Sequence, residues 1–333
     1  MKIYSPTVGE LKEKRDIAFA KKGLAWALCS GIIWGAEGVV LGIALSMAPF
    51  ADSPLWLLAP LTASGMHDLI AGCWTLMFNW KTGRLREIAR SIFTKPGLFV
   101  CFGALCGGPI GMGGYLVALK FAGPAYVLPI TSLYPAVASV LAMIFLKEKI
   151  CGRAWLGLLM CIAGAFIISY APPEGGVNSH FYWGIGIALL ATLGWGAEGV
   201  FATYGMDLLD PTVVLNIYQI VSAFLYLFIL LPLLGGWMVL EGAMTNFSGL
   251  VLVAAGFLGA CCYILWYRAM NMTGVSRAMA MNITYALWGI LFSAIFTDVQ
   301  ITQNLLWGAL IITGGMVLVV GNPKDIANLR SVN

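Results

Sequence analysis

Ten long apolar runs, separated by short polar breaks, occupy almost the whole chain. They cover residues 23–47, 54–79, 97–119, 125–146, 153–170, 182–205, 211–235, 248–267, 276–297 and 303–320. A helix needs about 20 residues to cross the hydrocarbon core of a bilayer, and these runs are of that order. The pattern predicts an all-α polytopic membrane protein of ten transmembrane helices. A polar head, residues 1–22, carries Lys12, Lys14, Arg15, Lys21 and Lys22 and is expected to form a short helix on the membrane surface. A polar break, Pro172-Pro173-Glu174-Gly175-Gly176, splits the spans five and five. The expected organisation is a cytoplasmic head (1–22), a first five-helix repeat (23–170), a second (182–320) and a cytoplasmic tail (321–333).

An odd number of spans per half forces the second half to enter the membrane inverted relative to the first. A repeated hexapeptide supports that reading. Trp34-Gly35-Ala36-Glu37-Gly38-Val39 recurs unchanged as Trp195-Gly196-Ala197-Glu198-Gly199-Val200, on the first span of each half. Weaker echoes relate Gly123, Tyr134 and Phe145 to Gly274, Tyr285 and Phe296. Two inverted repeats with a site near the midplane are a transporter architecture.

Composition sharpens the class. The chain is 60 % apolar and 10 % charged, with a mean hydropathy of +0.88, far from a soluble globular protein. Its net charge of +4 is dispersed among loops, which argues against a nucleic-acid partner. With the amino terminus inside, 18 Lys and Arg residues fall on the cytoplasmic side against Lys120 alone outside. Both termini are therefore expected in the cytoplasm. No cleavable signal peptide is apparent. The eight cysteines show no metal-ligand spacing, and no motif for a nucleophile, metal or phosphate is present. No metal, no cofactor and no enzyme activity are expected.

The candidate chemistry lies in the hexapeptides. A carboxylate at the bilayer centre costs about 2.5–3.5 kcal/mol on the insertion scale, so buried acids are normally retained for function. Trp34 and Glu37 are three residues apart and share a helix face, as do Trp195 and Glu198. Trp34 lies about 17 Å along its helix from Gly23, too deep for an interfacial tryptophan. An indole face attracts a cation by up to ~2 kcal/mol when desolvated, and the acid supplies the counter-charge. Quaternary ammonium groups fit best, because they donate no hydrogen bonds. Tyr134, Tyr285, Trp288, Tyr115 and Trp266 are placed to complete an aromatic cage, although any one of them alone is more often packing.

Four further features carry alternatives. His67-Asp68, mid-span, would serve as a protonation site, orient the acids, or fix a helix contact. The run Gly107-Gly108-Pro109-Ile110-Gly111-Met112-Gly113-Gly114 is expected to weaken or break its helix, or to allow close packing. Asn216 and Gln219 would bond a ligand or join helices, as would Asn282.

At these residues the sequence resembles the drug/metabolite transporter superfamily, in its EamA-like ten-span group. Gly108 to Met112, Ile130 to Ala136 and Phe145 to Lys149 carry that likeness. It is more closely similar to the LicB-type bacterial choline permeases, through His67-Asp68, Tyr134-Pro135-Ala136, Trp195-Gly196 with Glu198, Gln219, and Tyr285 with Trp288. The resemblance implies choline uptake across a bacterial inner membrane by a monomer or homodimer. Trp34, Glu198, Tyr285 and Trp288 would then hold the quaternary ammonium. Glu37 and Tyr115 depart from that pattern, and a second acid suits another amine, a dication or a coupling proton. Export of amino acids or drug-like metabolites, as in many EamA-like relatives, is the alternative.

Overall fold

Helix follows helix through the computed structural model, which describes residues 8–52, 57–145, 152–170, 179–273, 278, 281–297 and 300–320 and holds no strand among them. Lys147, Lys149, Gly274, Arg277, Lys324, Arg330 and the break at 172–176 lie outside the described residues. In the first half α1 spans Val8–Leu45, α2 Leu58–Lys81 and α3 Leu85–Ser91. Next come α4 (Lys95–Leu105), a π-helical segment Cys106–Gly113, α5 (Gly114–Ala122), α6 (Pro124–Thr131), α7 (Tyr134–Phe145) and α8 (Gly152–Tyr170). The second half has α9 (Phe181–Met206), α10 (Pro211–Phe224), a second π segment Leu225–Leu230, α11 (Leu231–Leu234) and α12 (Trp237–Thr245). It ends with α13 (Phe247–Thr273), α14 (Tyr285–Phe296) and α15 (Gln303–Val320).

Five helical stretches are long and apolar enough to cross a membrane: Lys21–Leu45, Lys95–Ala122, Phe181–Met206, Pro211–Leu234 and Phe247–Thr273. Trp155–Ile168, Tyr285–Phe296 and Gln303–Leu318 are shorter apolar helices. Within the predicted run 54–79, residues 58–79 belong to α2, which falls outside this group. It buries His67, Asp68, Asn79, Thr62, Ser64 and Thr75 on its inner faces, and these lower its hydropathy.

Two local features differ from the sequence expectation, and one takes a form within it. The polar head is not a separate surface helix: the backbone of α1 runs unbroken through 38 residues. Val8–Leu45 contains no proline, so nothing interrupts the hydrogen-bond ladder between the charged head and the apolar run. The glycine-rich run does not break its helix. It widens Lys95–Ala122 into a π segment around Pro109, whose missing N–H and bulky ring fit a looser turn better than an α turn. Two of the predicted spans, by contrast, are interrupted. A turn at Ser132–Leu133 separates α6 from α7, and another at Ile283–Thr284 precedes Tyr285. Pro135 has no N–H to offer the carbonyl of Thr131, which ends the ladder there. No proline marks the second turn.

The halves interlock. α1 packs along α13 and against α14, while α9 packs along α4, the first π segment and α5, and against α6 and α7. The first apolar run of each half thus lies on the third and fourth runs of the other. α8 pairs with α15, and α2 is held between α10 and α13. Glycines set the close approaches. A Cβ at Gly35 would lie 2.7 Å from Trp288 Cβ and 2.9 Å from Gly289 N. Its counterpart Gly196 would meet Val137 Cβ at 2.8 Å. At the chain reversal after α5, Gly123 takes φ +76°, which an L side chain rarely adopts, and Pro124 starts α6.

Adding one methyl at either contact should therefore force the helices apart. Gly35→Ala and Gly196→Ala are each expected to cost about 1–3 kcal/mol in thermal unfolding of the detergent-solubilised protein. Gly186→Ala, with nothing within 4 Å of the new Cβ, should be neutral or stabilising. Equal unfolding temperatures for all three would contradict this packing.

Candidate functional site: an aromatic cage and two separated acids

The two hexapeptides meet at the centre of the bundle. The buried rings of Trp34 and Trp195 stand edge to face, with centroids 5.7 Å apart and planes at 82°. Trp34 also lies against Tyr263 at 5.0 Å and stacks on Tyr285 at 5.6 Å and 17°. Tyr115 packs on Trp195 at 5.1 Å. Five rings from α1, α5, α9, α13 and α14 thus form one cluster with Trp34 at its hub. The wide π segment receives Trp195 without clash, because a Cβ at Gly111 would come within 2.7 Å of its indole nitrogen.

Glu198 sits one turn from Trp195 on α9 and is 9 % exposed. The hydroxyl of Tyr267 donates to its Oε1. Gly107 leaves room for it: a Cβ there would meet Glu198 Cγ at 2.6 Å and the Tyr218 ring at 2.8 Å. Tyr218 and Tyr267 both neighbour Tyr263, at 6.3 and 6.4 Å, and Tyr263 touches Trp34. A line of rings therefore connects the cage to a single carboxylate.

Glu37 has the same local sequence and a different environment. Its Oε1 lies 2.7 Å from His67 Nε2. Cys262 Sγ donates to its Oε2 at 3.3 Å. His67 Nδ1 is 3.0 Å from Asp68 Oδ1, and Ser222 Oγ donates to Asp68 Oδ2 at 2.5 Å. Gly259 on α13 makes space for this group, since a Cβ there would press on the imidazole. Glu37, His67, Asp68, Ser222 and Cys262 form a polar cluster spanning α1, α2, α10 and α13. Charges taken out of water in this way need pairing and full hydrogen bonding to be tolerated.

The other predicted residues divide. Tyr285 joins the cage, and its hydroxyl donates to Thr131 Oγ1 at 3.2 Å. Tyr134, its echo in the first half, donates to Asn282 Oδ1 at 3.3 Å. Each tyrosine thus bonds the residue three positions before the other, across the two helix turns. Asn282 Nδ2 donates to Ser30 Oγ at 3.0 Å, tying α1 to the ninth run, so Asn282 serves a helix junction. Trp266 meets Tyr134 edge on at 6.0 Å. The ring of Trp288 stacks on Phe292 and stands apart from the Trp34 cluster, while its Cβ fills the contact with Gly35. Gln219 lies on α10 facing Gly72 of α2. Sequence reasoning missed Tyr218, Tyr263 and Tyr267. The signal for Tyr263 and Tyr267 was the 263, 266, 267 spacing that puts aromatics on one face of α13; Tyr218 had none.

Chemically, the cage offers aromatic faces and one anchored carboxylate, the complement of a cation with an apolar surface. Among the described residues, no three His, Cys, Asp or Glu side chains are placed to hold a metal ion.

The polar cluster makes a stability prediction. His67→Ala leaves Glu37 and Asp68 as uncompensated buried acids and should destabilise the protein by about 3–5 kcal/mol. Pairing it with Glu37→Gln should recover at least about 1 kcal/mol in a double-mutant cycle of thermal unfolding. Strict additivity would show that the two side chains do not interact.

The profile of the EamA-like transporter family matches residues 21–170 and again 182–321. Protein LicB of Haemophilus influenzae (strain ATCC 51907 / DSM 11121 / KW20 / Rd) is 28 % identical over 306 residues, covering 90 % of this chain and 97 % of that protein. A solved crystal structure shares the fold with a TM-score of 0.59 at 18 % identity, over 93 % of this chain and 99 % of the other. This chain belongs to the EamA-like transporter family and is a multi-pass membrane transporter.

Proposed function

We propose that this transporter imports choline or a related quaternary ammonium compound. The observation that carries the reading is the Trp34 hub, with the Trp195, Tyr263 and Tyr285 rings packed on it and Glu198 held behind it by Tyr267. A trimethylammonium group spreads its charge over methyl groups. It is attracted to ring faces by up to ~2 kcal/mol per desolvated contact and needs one counter-charge. Because the rings now touch one another, binding exchanges ring–ring contacts for ring–cation contacts, and Trp34 must swing aside. Glu198 is the counter-charge in this account; Glu37 is already committed to His67 and Cys262.

The proposed frame is ten spans in two inverted five-helix repeats, with both termini in the cytoplasm of a bacterial inner membrane. The reciprocal Tyr134–Asn282 and Tyr285–Thr131 bonds fit a two-fold relation between the halves. Alternating access would rock one half against the other. An inside-negative potential alone contributes about 2.3 kcal/mol per charge per 100 mV, or roughly 50-fold accumulation of a monovalent cation.

Export of amino acids is the weaker reading. A cargo carboxylate wants a cation, and among the described residues no Lys or Arg is buried.

Choline uptake into proteoliposomes with an imposed inside-negative potential tests the assignment. Saturable uptake is expected, with Trp34→Ala and Glu198→Gln each weakening choline binding by roughly 30-fold, the equivalent of ~2 kcal/mol. Flux of a neutral amino acid with no choline binding would overturn it.

A further inference from the structure

Polar residues recur on α10 at Thr212, Asn216, Gln219 and Ser222, all buried. They share one helix face over about 15 Å. α2 answers with Asn79, Thr75, Gly72 and Asp68, likewise buried. The seam starts at the end of the bundle where Arg84 Nε lies 3.2 Å from Asp210 Oδ2, both side chains about 30 % exposed. Thr212 Oγ1 lies 2.6 Å from Asp210 Oδ1 and 2.8 Å from Asn79 Oδ1, its one proton serving either oxygen in turn, and Asn79 Nδ2 donates to the Thr212 carbonyl at 2.9 Å. One turn deeper, Asn216 Nδ2 donates to the Gly72 carbonyl at 3.1 Å. At the far end Ser222 joins Asp68, and through it His67 and Glu37.

In the middle of the line, polar groups lack protein partners among the described residues. Asn216 Oδ1, Gln219 Nε2 and Gln219 Oε1 are all buried without a hydrogen-bond partner among the described residues. Gln219 is 1 % exposed, and neither end of its amide is bonded among the described residues. Buried amides are ordinarily satisfied by protein or ordered water. An internal water needs two to four polar partners, and these three atoms, one helical turn apart, supply acceptor, donor and acceptor.

We infer that Asn216 and Gln219 hold internal water that completes a hydrogen-bonded line from the Arg84–Asp210 end to the Glu37–His67–Asp68 cluster. That line gives the buried imidazole a route for proton exchange that bypasses the aromatic cage. The inference is independent of the cargo. It assigns Gln219 to the water line and leaves substrate contact to the rings and Glu198. The titratable groups facing the imidazole and its two acids are Cys262 and Tyr263 from α13, Tyr218 from α10, Tyr226 from the second π segment and Tyr115 from α5.

The chain has two histidines, which makes the test direct. Exchange of the imidazole N–H protons with bulk water is read by NMR on full-length, ¹⁵N-histidine-labelled protein in detergent, with His180 as internal reference. Gln219→Leu should slow exchange at His67 by about tenfold or more, and Gln219→Asn, which keeps an amide, should restore most of the rate. Asn216→Val provides a second interruption of the same line and should also slow it. Unchanged exchange at His67 in both Gln219→Leu and Asn216→Val would overturn the proposal. So would slow exchange already present in the native protein. Loss of choline binding in Trp34→Ala bears on the cage alone and leaves this result unaffected.

Discussion

An ionised carboxylate inside a bilayer has no water to solvate it, and the arrangement of this bundle follows from that constraint. Three acids are buried among the described residues: Glu37, Asp68 and Glu198. Each must be met by groups brought from other helices. Glu37 and Asp68 share the imidazole of His67, with Cys262 and Ser222 occupying further oxygens. Glu198 has only the Tyr267 hydroxyl among the bonds described, with aromatic rings around it. The acid with the fewest partners is Glu198, one helical turn from Trp195 of the cage. Identical motif copies thus end in unlike surroundings.

The close approach of helices that makes this possible depends on backbone without side chains. Gly35 and Gly196 hold the hexapeptides against α14 and α7, Gly107 and Gly111 admit Glu198 and Trp195, and Gly259 admits His67. In lipid, where helices gain little from hydrophobic burial against one another, such small-residue contacts and interhelical hydrogen bonds supply the association. The π segment around Pro109 belongs to the same solution, since a looser turn keeps the backbone bonded where the indole of Trp195 lies against it.

The apolar runs, the duplicated hexapeptide and the family resemblance were legible in the sequence, because hydropathy and motif identity are local properties. The surroundings of each motif copy were not. Trp34-Gly-Ala-Glu37 and Trp195-Gly-Ala-Glu198 are identical as strings, yet one glutamate meets His67 and the other Tyr267, both supplied by distant segments. The tyrosines of α13 were hidden for the same reason: a ring in an apolar run reads as packing until its neighbours are known. Helix continuity failed in both directions. The charged head continues into α1, whereas the turn before Tyr285 carries no proline to announce it. Trp288 illustrates the limit of spacing arguments, for it is one turn from Tyr285 and still points its ring at Phe292.

On the proposed reading, a quaternary ammonium nitrogen belongs among the rings and beside the less satisfied acid. A structure of the full-length protein with bound choline is the most direct test. The account predicts the nitrogen within about 6 Å of the ring centroids of Trp34, Trp195 and Tyr285, with Glu198 as its nearest acid. A nitrogen seated against Glu37 and His67, remote from Glu198, would contradict it.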